Sequence, residues 1–249
     1  MFMKDMKNKL LTIKQAADKL GINPQTLRRW DKSNRLVSVR GENNYRYYKK
    51  QDIEEYIKNN LDDILKMARN WVLNDPGIEP LSGFYCKDSA VFQARLTRLR
   101  NELSKTESLK DKYFSITSVT GEIGDNSFGH NLGNWPDIMG IFFAYDLKKR
   151  KIVLADRGQG VLSTLKKVKP ELNNHLDALK TAFTEVISGR SPESRGNGLK
   201  YVKHTVVSNE MKLFFQTGDA ELQIKESDFN LNIHKASIKF RGCLALIQF

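Results

Sequence analysis

The sequence predicts an α+β protein, and three observations lead to this class. Two short amphipathic helices and a strand pair lie near the amino end, helical apolar stripes fill the middle, and the last part alternates apolar strands with amphipathic helices. Helices placed among antiparallel hairpins favour one sheet with helices on one face. We expect a small domain over residues 1–60, a helical linker over 61–111 and a sandwich of helices and sheet over 112–249.

Composition limits the class of protein. The chain has 249 residues and 40% apolar content, enough to bury a core. Cys86 and Cys243 are too far apart to suggest a disulfide framework or a zinc cluster, which favours a reducing compartment. The first residues lack the apolar segment of a signal peptide, and the apolar run over 138–145 is far shorter than a membrane span. We expect a soluble, cytoplasmic protein without a membrane partner.

Positive charge is concentrated near the amino end. The net charge is +12, and residues 1–60 contain 14 lysines and arginines against 7 aspartates and glutamates. Such an excess favours a polyanionic partner. The first 60 residues are therefore the candidate for nucleic-acid binding.

The segment LTIKQAADKLGINPQTLRRW, residues 11–30, predicts two short helices. Apolar residues recur at helical spacing in its first half, Thr12 can cap the first helix, and Gly21 can take the left-handed conformation that ends it. Asn23 can cap the second helix. Two short helices joined by such a turn form a helix-turn-helix.

The second helix and the segment after it carry candidate donors for DNA. Thr26, Arg28 and Arg29 lie in the first turns of the helix, where donors reach base edges and phosphates in a major groove. The following segment LVSVRGENNYRYY predicts a hairpin. With Arg40 and Arg46 on it, this hairpin can act as a wing on the DNA backbone.

About residues 10–60 resemble the winged helix-turn-helix of the MerR and excisionase-like families, through TIKQAADKLGINPQTLRRWDKSNRL and NYRYYKKQDIEEYI. The resemblance implies double-stranded DNA as partner, contacted by Thr26, Arg28, Arg29, Arg46 and Tyr47. A single module of this size binds weakly, so we expect a homodimer. The alternative is a solvated three-helix module that binds protein.

Two apolar stripes at helical spacing mark the predicted linker. The first consists of Leu61, Ile64, Leu65, Ala68, Trp71 and Val72, and the second of Phe92, Leu96, Leu99 and Leu103. The second stripe could pair with a partner helix, but two heptads are too few for a coiled coil. Alternatively, both stripes pack on the C-terminal domain.

The C-terminal part alternates strands and helices. Residues 137–160 predict two apolar strands joined by a charged turn, with the second strand ending at Asp156. The remaining segments, in chain order, are a helix over 173–188, a polar loop over 188–197, a helix over 199–207 and strands over 211–218, 220–225 and 235–249.

The segment SVTGEIGDNSFGHN, residues 118–131, conflicts with local rules. Glu122 and Asn126 would share one face of a helix, but each of three glycines costs up to about 1 kcal/mol in a helix interior. Such conflict is tolerated mostly at strained or functional sites. We expect a ligand site here, where a carboxylate and a carboxamide could hold a metal and a water.

Three short motifs follow one another in this half of the chain. They are Glu122-x-x-x-Asn126, Asp156-x-Gly158-x-Gly160 and Gly196-x-Gly198-Leu199. Each by itself has an ordinary explanation, such as a turn after a strand. Their order and spacing resemble the N, G1 and G2 boxes of the GHKL ATPases, a superfamily of sensor kinases, anti-sigma kinases, type II topoisomerases, mismatch-repair proteins and heat-shock chaperones. The resemblance covers about residues 112–249.

This resemblance implies a Bergerat-type sandwich that binds ATP and Mg²⁺. By it, Asp156 accepts a hydrogen bond from the adenine amino group, and Gly158 and Gly160 let the backbone approach the base. Asn126 ligates magnesium, a hard ion that prefers oxygen donors. Glu122 matches the position that orients the attacking water in members that hydrolyse ATP, and is the catalytic candidate.

The third motif implies the phosphate site. Gly196 and Gly198 bring backbone N–H groups to the phosphates just before Leu199, at the amino end of the following helix. The loop over 188–197 would be the ATP lid, with Arg190 or Arg195 as phosphate contacts.

Two function classes follow. The first is an ATP-binding, DNA-binding transcriptional regulator in which the nucleotide state modulates DNA affinity. The second is a DNA-recruited ATPase, or a serine/threonine protein kinase of the anti-sigma type that acts on a partner protein. No histidine precedes His130, so we do not expect a sensor histidine kinase.

Overall fold

The computed structural model describes residues 10–20, 24–41, 44–60, 64–187 and 197–249. It divides the chain into two compact units, Met1–Phe84 (unit 1) and Tyr85–Phe249 (unit 2). Among the described helices, none is long and apolar enough to cross a membrane. The predicted capping positions Gly21 and Asn23 lie outside the described residues.

Unit 1 contains the predicted helix-turn-helix and hairpin. Its elements are β1 (Leu10–Thr12), α1 (Ile13–Leu20), α2 (Pro24–Lys32), β2 (Val39–Arg40), β3 (Arg46–Lys49), α3 (Lys50–Asn60) and α4 (Ile64–Leu73). The strands form an antiparallel sheet in the order β1-β3-β2. Strand β1, which the sequence did not reveal, pairs with β3 and ties the start of α1 to the hairpin.

Local capping and a small core explain why unit 1 folds this way. Thr12 accepts from the Gln15 N–H at 3.2 Å, and Gln15 accepts from the Thr12 N–H at 3.0 Å, which together form a capping box. Ala16 and Ala17 of α1 are small and buried in the same core as Leu27 of α2, so the two helices can pack closely. The fully buried Tyr48 of β3 donates to the Leu27 carbonyl oxygen. The core consists of Ala16, Ala17, Leu27, Leu36, Tyr48 and Ile53.

Unit 2 is an antiparallel sheet with packed helices, which confirms the predicted α+β class. Its elements are β4 (Tyr85–Cys86), α5 (Ser89–Ser104), α6 (Tyr113–Asn131), β5 (Ile141–Asp146), β6 (Lys151–Asp156), α7 (Gly160–Leu165), α8 (His175–Thr184), α9 (Gly198–Ser208), β7 (Lys212–Ile224) and β8 (Asn232–Gln248). The strand order is β4-β5-β6-β8-β7. The predicted hairpin forms as β5 and β6, with Ile141 opposite Asp156.

Helix α5 belongs to unit 2, although the sequence placed it in the linker. The Asp88 side chain caps its start by accepting from the Val91 N–H at 2.8 Å. All four apolar residues of the second stripe are buried in the core of unit 2: Phe92, Leu96, Leu99 and Leu103. Because this core already covers them, the stripe has no free surface to offer to a second copy.

The glycines of α6 have a packing explanation. Helix α6 runs without interruption through the segment that conflicted with local rules. A Cβ at Gly124 would overlap the Phe92 ring of α5, and one at Gly121 would lie 3.2 Å from the Leu96 side chain. The glycines therefore let α5 approach α6 closely. The helix tolerates their propensity cost because burial of Phe92 offsets it.

Strand β7 is one continuous element where the sequence predicted two. Its pairing with β8 is irregular between Thr217 and Ala220, and Gly218 there has φ +58. Gly218 can adopt this left-handed conformation without a Cβ clash. The irregularity explains why the segment reads as two strands, and it places Thr217 beside the site described below.

Replacing Gly124 by alanine should destabilise unit 2, although the same change usually stabilises a helix interior by about 1 kcal/mol. The new methyl group would have to displace the Phe92 ring, and overpacking of this kind costs about 1–3 kcal/mol. We expect a lower midpoint in urea unfolding followed by circular dichroism. Gly83→Ala, where a Cβ has nothing within 4 Å, is the control, and equal midpoints for the two variants would contradict the packing explanation.

Candidate functional site

A cleft in unit 2, with a volume of about 260 Å³, brings together residues from all three sequence motifs. Six of the predicted site residues line it: Glu122, Asn126, Asp156, Gly160, Gly198 and Leu199. They come from α6, the end of β6, the start of α7 and the start of α9. The antiparallel sheet and its helices thus collect at one place groups that are up to 77 residues apart in the chain.

Asp156 is a buried carboxylate at the end of β6, with only 2% of its surface exposed. The Ser127 hydroxyl donates to Oδ2 at 2.8 Å, the Gly158 N–H donates to Oδ1 at 2.8 Å, and the Cys243 N–H also donates to the carboxylate. Burial raises the pKa of the Asp156 carboxyl above its ordinary value, although the three hydrogen bonds act in the opposite direction. The protein holds this group in a costly environment, as is typical of functional carboxylates.

Gly158 has a packing role in the turn after β6. A Cβ at this position would overlap the Asn131 side chain, which is buried at the end of α6. Asn131 accepts from the Gln159 N–H at 2.8 Å and donates to the Ser127 carbonyl oxygen at 2.8 Å. Gly158 therefore lets the turn after β6 lie directly on α6. Gly158 is not among the residues that line the cleft, and its approach to a bound base stays a prediction.

Gly160 and Thr217 fix the opposite side of the same turn. Gly160 has φ +77, and a Cβ on it would lie 3.0 Å from the Thr217 Oγ1 atom. Thr217 is buried, accepts from the Val161 N–H at 3.1 Å and donates to the Gly242 carbonyl oxygen at 3.0 Å. These bonds hold the turn against β7 and β8.

A charged cluster beside Asp156 anchors the end of β6 from the other direction. Arg157 is 5% exposed and donates to Asp137 Oδ2 at 2.6 Å, and Arg241 of β8 donates to the same oxygen at 2.6 Å. Burial alone would raise the pKa of Asp137, but the Arg157 guanidinium and the Ile138 N–H hold it below its ordinary value. The cluster links the loop before β5 to both β6 and β8.

The amino end of α9 also lines the cleft, through Gly198 and Leu199. A Cβ at Gly198 would lie 2.6 Å from the Glu122 Oε2 atom and 3.4 Å from the Asn126 Nδ2 atom. The backbone of the first turn of α9 therefore directly faces both polar side chains of α6. Backbone N–H groups at a helix start favour anions, and the oxygens of Glu122 and Asn126 are donors of the kind that Mg²⁺ prefers.

The chemistry of these residues fits a magnesium nucleotide. Within the described residues no group of three His, Cys, Asp or Glu could hold a metal by itself. The buried Asp156 carboxylate suits an amino group, and the start of α9 suits phosphates.

Several site residues were missed or lie outside the described part of the chain. Arg190, Arg195 and Gly196, with most of the predicted lid, are outside it. Sequence reasoning missed Ser127, Asn131 and Thr217. Ser127 directly follows Asn126 in the sequence, and this position could have indicated that its hydroxyl belongs to the site. Nothing in the sequence indicates that Thr217 is close to Gly160.

In unit 1, the predicted DNA-binding residues lie on α2 and on the wing. Arg28 and Arg29 are exposed on α2, and Arg29 donates to the Thr26 hydroxyl at 3.3 Å. Tyr47 lies over Gly41, where a Cβ would come within 2.8 Å of its ring. The wing arginines, Arg40 and Arg46, both approach Asp31.

Comparison with known proteins identifies the class of unit 1. Residues 12–48 match the family described as MerR family regulatory protein, so the chain carries a MerR-family helix-turn-helix, as its sequence predicted. A stretch of 46 residues, 18% of this chain, is 48% identical to part of the type II methyltransferase M.Eco47II of Escherichia coli. The chain spans only 11% of that relative's length.

Two solved structures show a more distant likeness. One is the ATPase region of Saccharomyces cerevisiae topoisomerase II, with 11% identity, a TM-score of 0.34, and coverage of 52% of this chain and 36% of that one. The other is the N-terminal domain of a DNA repair protein, with 16% identity, a TM-score of 0.29, and coverage of 53% and 34%. Neither likeness is close enough to establish an activity.

Asp156→Asn should raise the free energy of unfolding at neutral pH. The raised pKa means that the folded protein is destabilised when Asp156 is ionised. This penalty is fully present above the folded-state pKa and disappears as the pH falls below the unfolded-state value of about 4. The expected result in urea titrations from pH 7 to pH 4 is a stability gain for the variant that shrinks toward acid. A variant less stable than wild type at pH 7 would show that the hydrogen bonds outweigh burial.

Proposed function

We propose that the protein is an ATP-responsive, DNA-binding regulator, in which unit 2 is a GHKL-type nucleotide-binding domain and unit 1 binds double-stranded DNA. One observation carries the nucleotide part. Glu122, Asn126, Asp156 and Gly198 come from distant parts of the chain and line one cleft, which contains both a buried carboxylate and a helix start.

The buried carboxylate supports adenine as the base. The two Asp156 oxygens together accept three hydrogen bonds from the protein, and a carboxylate has about four acceptor positions, so one is left for a ligand. An acceptor without a donor proton favours the exocyclic amino group of adenine over the carbonyl oxygen that guanine presents at the same position. Ser127 and Gly158 keep the carboxylate oriented, so the base meets a rigid acceptor.

The α9 end of the cleft supports a magnesium-bound phosphate chain. Asn126 would hold the metal ion, and the first turn of α9 from Gly198 to Leu199 would accept the phosphates. Asn126 would supply an oxygen donor to this ion, and the chemistry the ion would supply is partial neutralisation of the phosphate charge. Arg190 and Arg195 remain our candidates for further phosphate contacts from the lid.

The MerR-family segment supports DNA as the ligand of unit 1. Thr26, Arg28 and Arg29 of α2 are the proposed contacts, and residues 1–60, which include α2 and the wing, contain 14 lysines and arginines against 7 aspartates and glutamates. We further propose a homodimer, because paired half-sites would multiply the phosphate contacts of one small module.

Regulation requires that ATP bind two states of the protein with different affinity. We propose that nucleotide orders the lid over 188–197 and thereby changes the protein state that binds DNA. Couplings of this kind typically amount to about 1–3 kcal/mol, or about 5-fold to 150-fold in affinity.

A DNA-recruited ATPase, or a serine/threonine protein kinase of the anti-sigma type, is the second candidate. The half-buried Glu122 carboxylate, which faces the start of α9 within the cleft, favours it. A carboxylate at that place could orient a water or a protein hydroxyl toward a phosphate. Turnover separates the two candidates: an enzyme releases phosphate from ATP with multiple turnovers, and Glu122→Ala abolishes this release while it leaves ATP binding intact.

Isothermal titration of the protein with ATP and Mg²⁺ should give saturable heat, and Asp156→Asn should weaken ATP binding by about 100-fold or more. The reason is that the substituted amide presents a donor to another donor in a buried site. Asp111→Asn, at an exposed position, makes the same chemical change outside the cleft and should bind like wild type. Equal affinity of the two variants would contradict the base site, and GTP binding as tight as ATP would contradict the choice of base.

Arg28→Ala combined with Arg29→Ala should weaken binding to a duplex and flatten its salt dependence. Each lost phosphate contact lowers the slope of log K against log salt by about 0.9, so we expect a loss of up to roughly 2. Fluorescence anisotropy over a KCl series measures this slope. Lys66→Ala with Arg69→Ala removes the same charge from α4 of the same unit and serves as control. A flattened slope in the control variant alone would show that α4, and not α2, supplies the phosphate contacts.

A further inference from the structure

Both arginines of the wing approach a single carboxylate on the neighbouring helix. The Arg46 Nε atom lies 2.7 Å from Asp31 Oδ2, and an Arg40 guanidinium nitrogen lies 3.6 Å from the same oxygen. Asp31 belongs to the last turn of α2, which is the helix that carries Arg28 and Arg29. The contact therefore joins the wing to the helix proposed to enter the major groove.

Strand pairing explains why both arginines reach Asp31. Arg40 of β2 and Arg46 of β3 are direct cross-strand partners, so their side chains lie on the same face of the hairpin. Val39, the neighbour of Arg40 in β2, points to the opposite face and is exposed. The basic face of the wing is thus turned toward α2.

Asp31 also contacts the chain just before the wing, in addition to the two arginines. Its Oδ1 atom accepts from the Ser38 N–H at 2.8 Å, so the start of the hairpin is tied to α2 as well. Only 10% of the Asp31 side chain is exposed, against 23% for Arg46 and 44% for Arg40. Burial alone would raise the pKa of Asp31, but the Ser38 N–H and the Arg46 guanidinium hold it below its ordinary value.

Arg40 is held from a second direction. Its guanidinium also donates to the Asn44 carbonyl oxygen in the wing turn, at 3.2 Å. An arginine with a carboxylate 3.6 Å away and one N–H bonded to a carbonyl oxygen has fewer donors and less net charge to offer to a phosphate than an arginine without these contacts. The wing therefore presents less positive charge to DNA than its sequence suggests.

We propose that Asp31 is the positioning residue of the DNA-binding unit: it locks the wing onto α2 and withholds Arg40 and Arg46 from the phosphate backbone. The inference rests on the proposed DNA-binding function. Under it, Arg28 and Arg29 supply the phosphate contacts, and the wing acts through its fixed position. It revises the role that the sequence suggested for Arg40 and Arg46.

The experiment measures the salt dependence of binding to a fluorescent 30-bp duplex of random sequence, with the full chain and its variants. Asp31→Asn keeps an oxygen that can accept from Ser38 but removes the charge that holds the arginines. If both arginines turn to phosphates, each adds about 0.9 to the slope. We expect a slope steeper by roughly 1 to 2 and tighter binding at low salt.

Glu55→Gln is the matched control for charge. Glu55 is exposed on α3 of the same unit, and its substitution changes the net charge equally without releasing Arg40 or Arg46. An equal change of slope in Glu55→Gln and Asp31→Asn would overturn the inference, since general charge would then explain both. A purely structural role for Asp31 would weaken binding without steepening the slope, and this result would also overturn it.

A second pair of variants tests the inference without touching Asp31. Arg40→Gln should change the slope much less than Arg28→Gln, which should lower it by about 0.9. Equal losses for the two variants would show that Arg40 contacts phosphate in the wild-type protein and would overturn the inference. If wild type itself shows no salt-dependent binding, the DNA-binding function fails and this inference with it, whereas binding with unchanged slopes overturns the inference alone.

Discussion

The buried carboxylate of Asp156 is the constraint on which the architecture of unit 2 depends. A charge withdrawn from water must be surrounded by donors, and the protein supplies them from three separate elements: Ser127 of α6, Gly158 of the turn and Cys243 of β8. Meeting this requirement brings α6, the end of β6 and the middle of β8 within hydrogen-bond distance of one group. The cleft forms where these elements converge. A carboxylate whose burial is unfavourable for its ionised form therefore lies in the candidate site.

Close backbone approach is the second condition for this arrangement, and glycines provide it at three places. Gly124 lets α5 lie on α6, Gly158 lets the turn after β6 lie on Asn131, and Gly198 lets the start of α9 face Glu122. A methyl group at any of these positions would overlap or crowd a neighbouring side chain. The glycines that looked like obstacles to a helix, or like generic flexibility, are positions where two elements touch.

In each unit one aspartate contacts two arginines, but the two clusters lie at different kinds of surface. In unit 2, Asp137 gathers the buried Arg157 and the more exposed Arg241, and the cluster fixes a loop beside the site. In unit 1, Asp31 gathers two wing arginines on the surface proposed to bind DNA. In both units, one carboxylate between two guanidinium groups thus joins segments that are distant in the sequence. A count of basic residues therefore overstates the positive charge that unit 1 can offer to a phosphate backbone.

The sequence alone predicted the helix-turn-helix, the hairpin of β5 and β6, and helices α8 and α9, because helical spacing and capping residues are local properties. The order of the motifs also singled out Glu122, Asn126, Asp156 and Gly198, which line one cleft in the structure. Only the tertiary structure decided that α5 belongs to the core of unit 2, that α6 is unbroken despite its glycines, and that Thr217 supports the turn at Gly160. These depend on contacts between residues far apart in the chain, such as Phe92 with Gly124. The same holds for Asp31 and Arg46: each looks like an ordinary surface charge in the sequence, and the packing of the hairpin against α2 makes them partners.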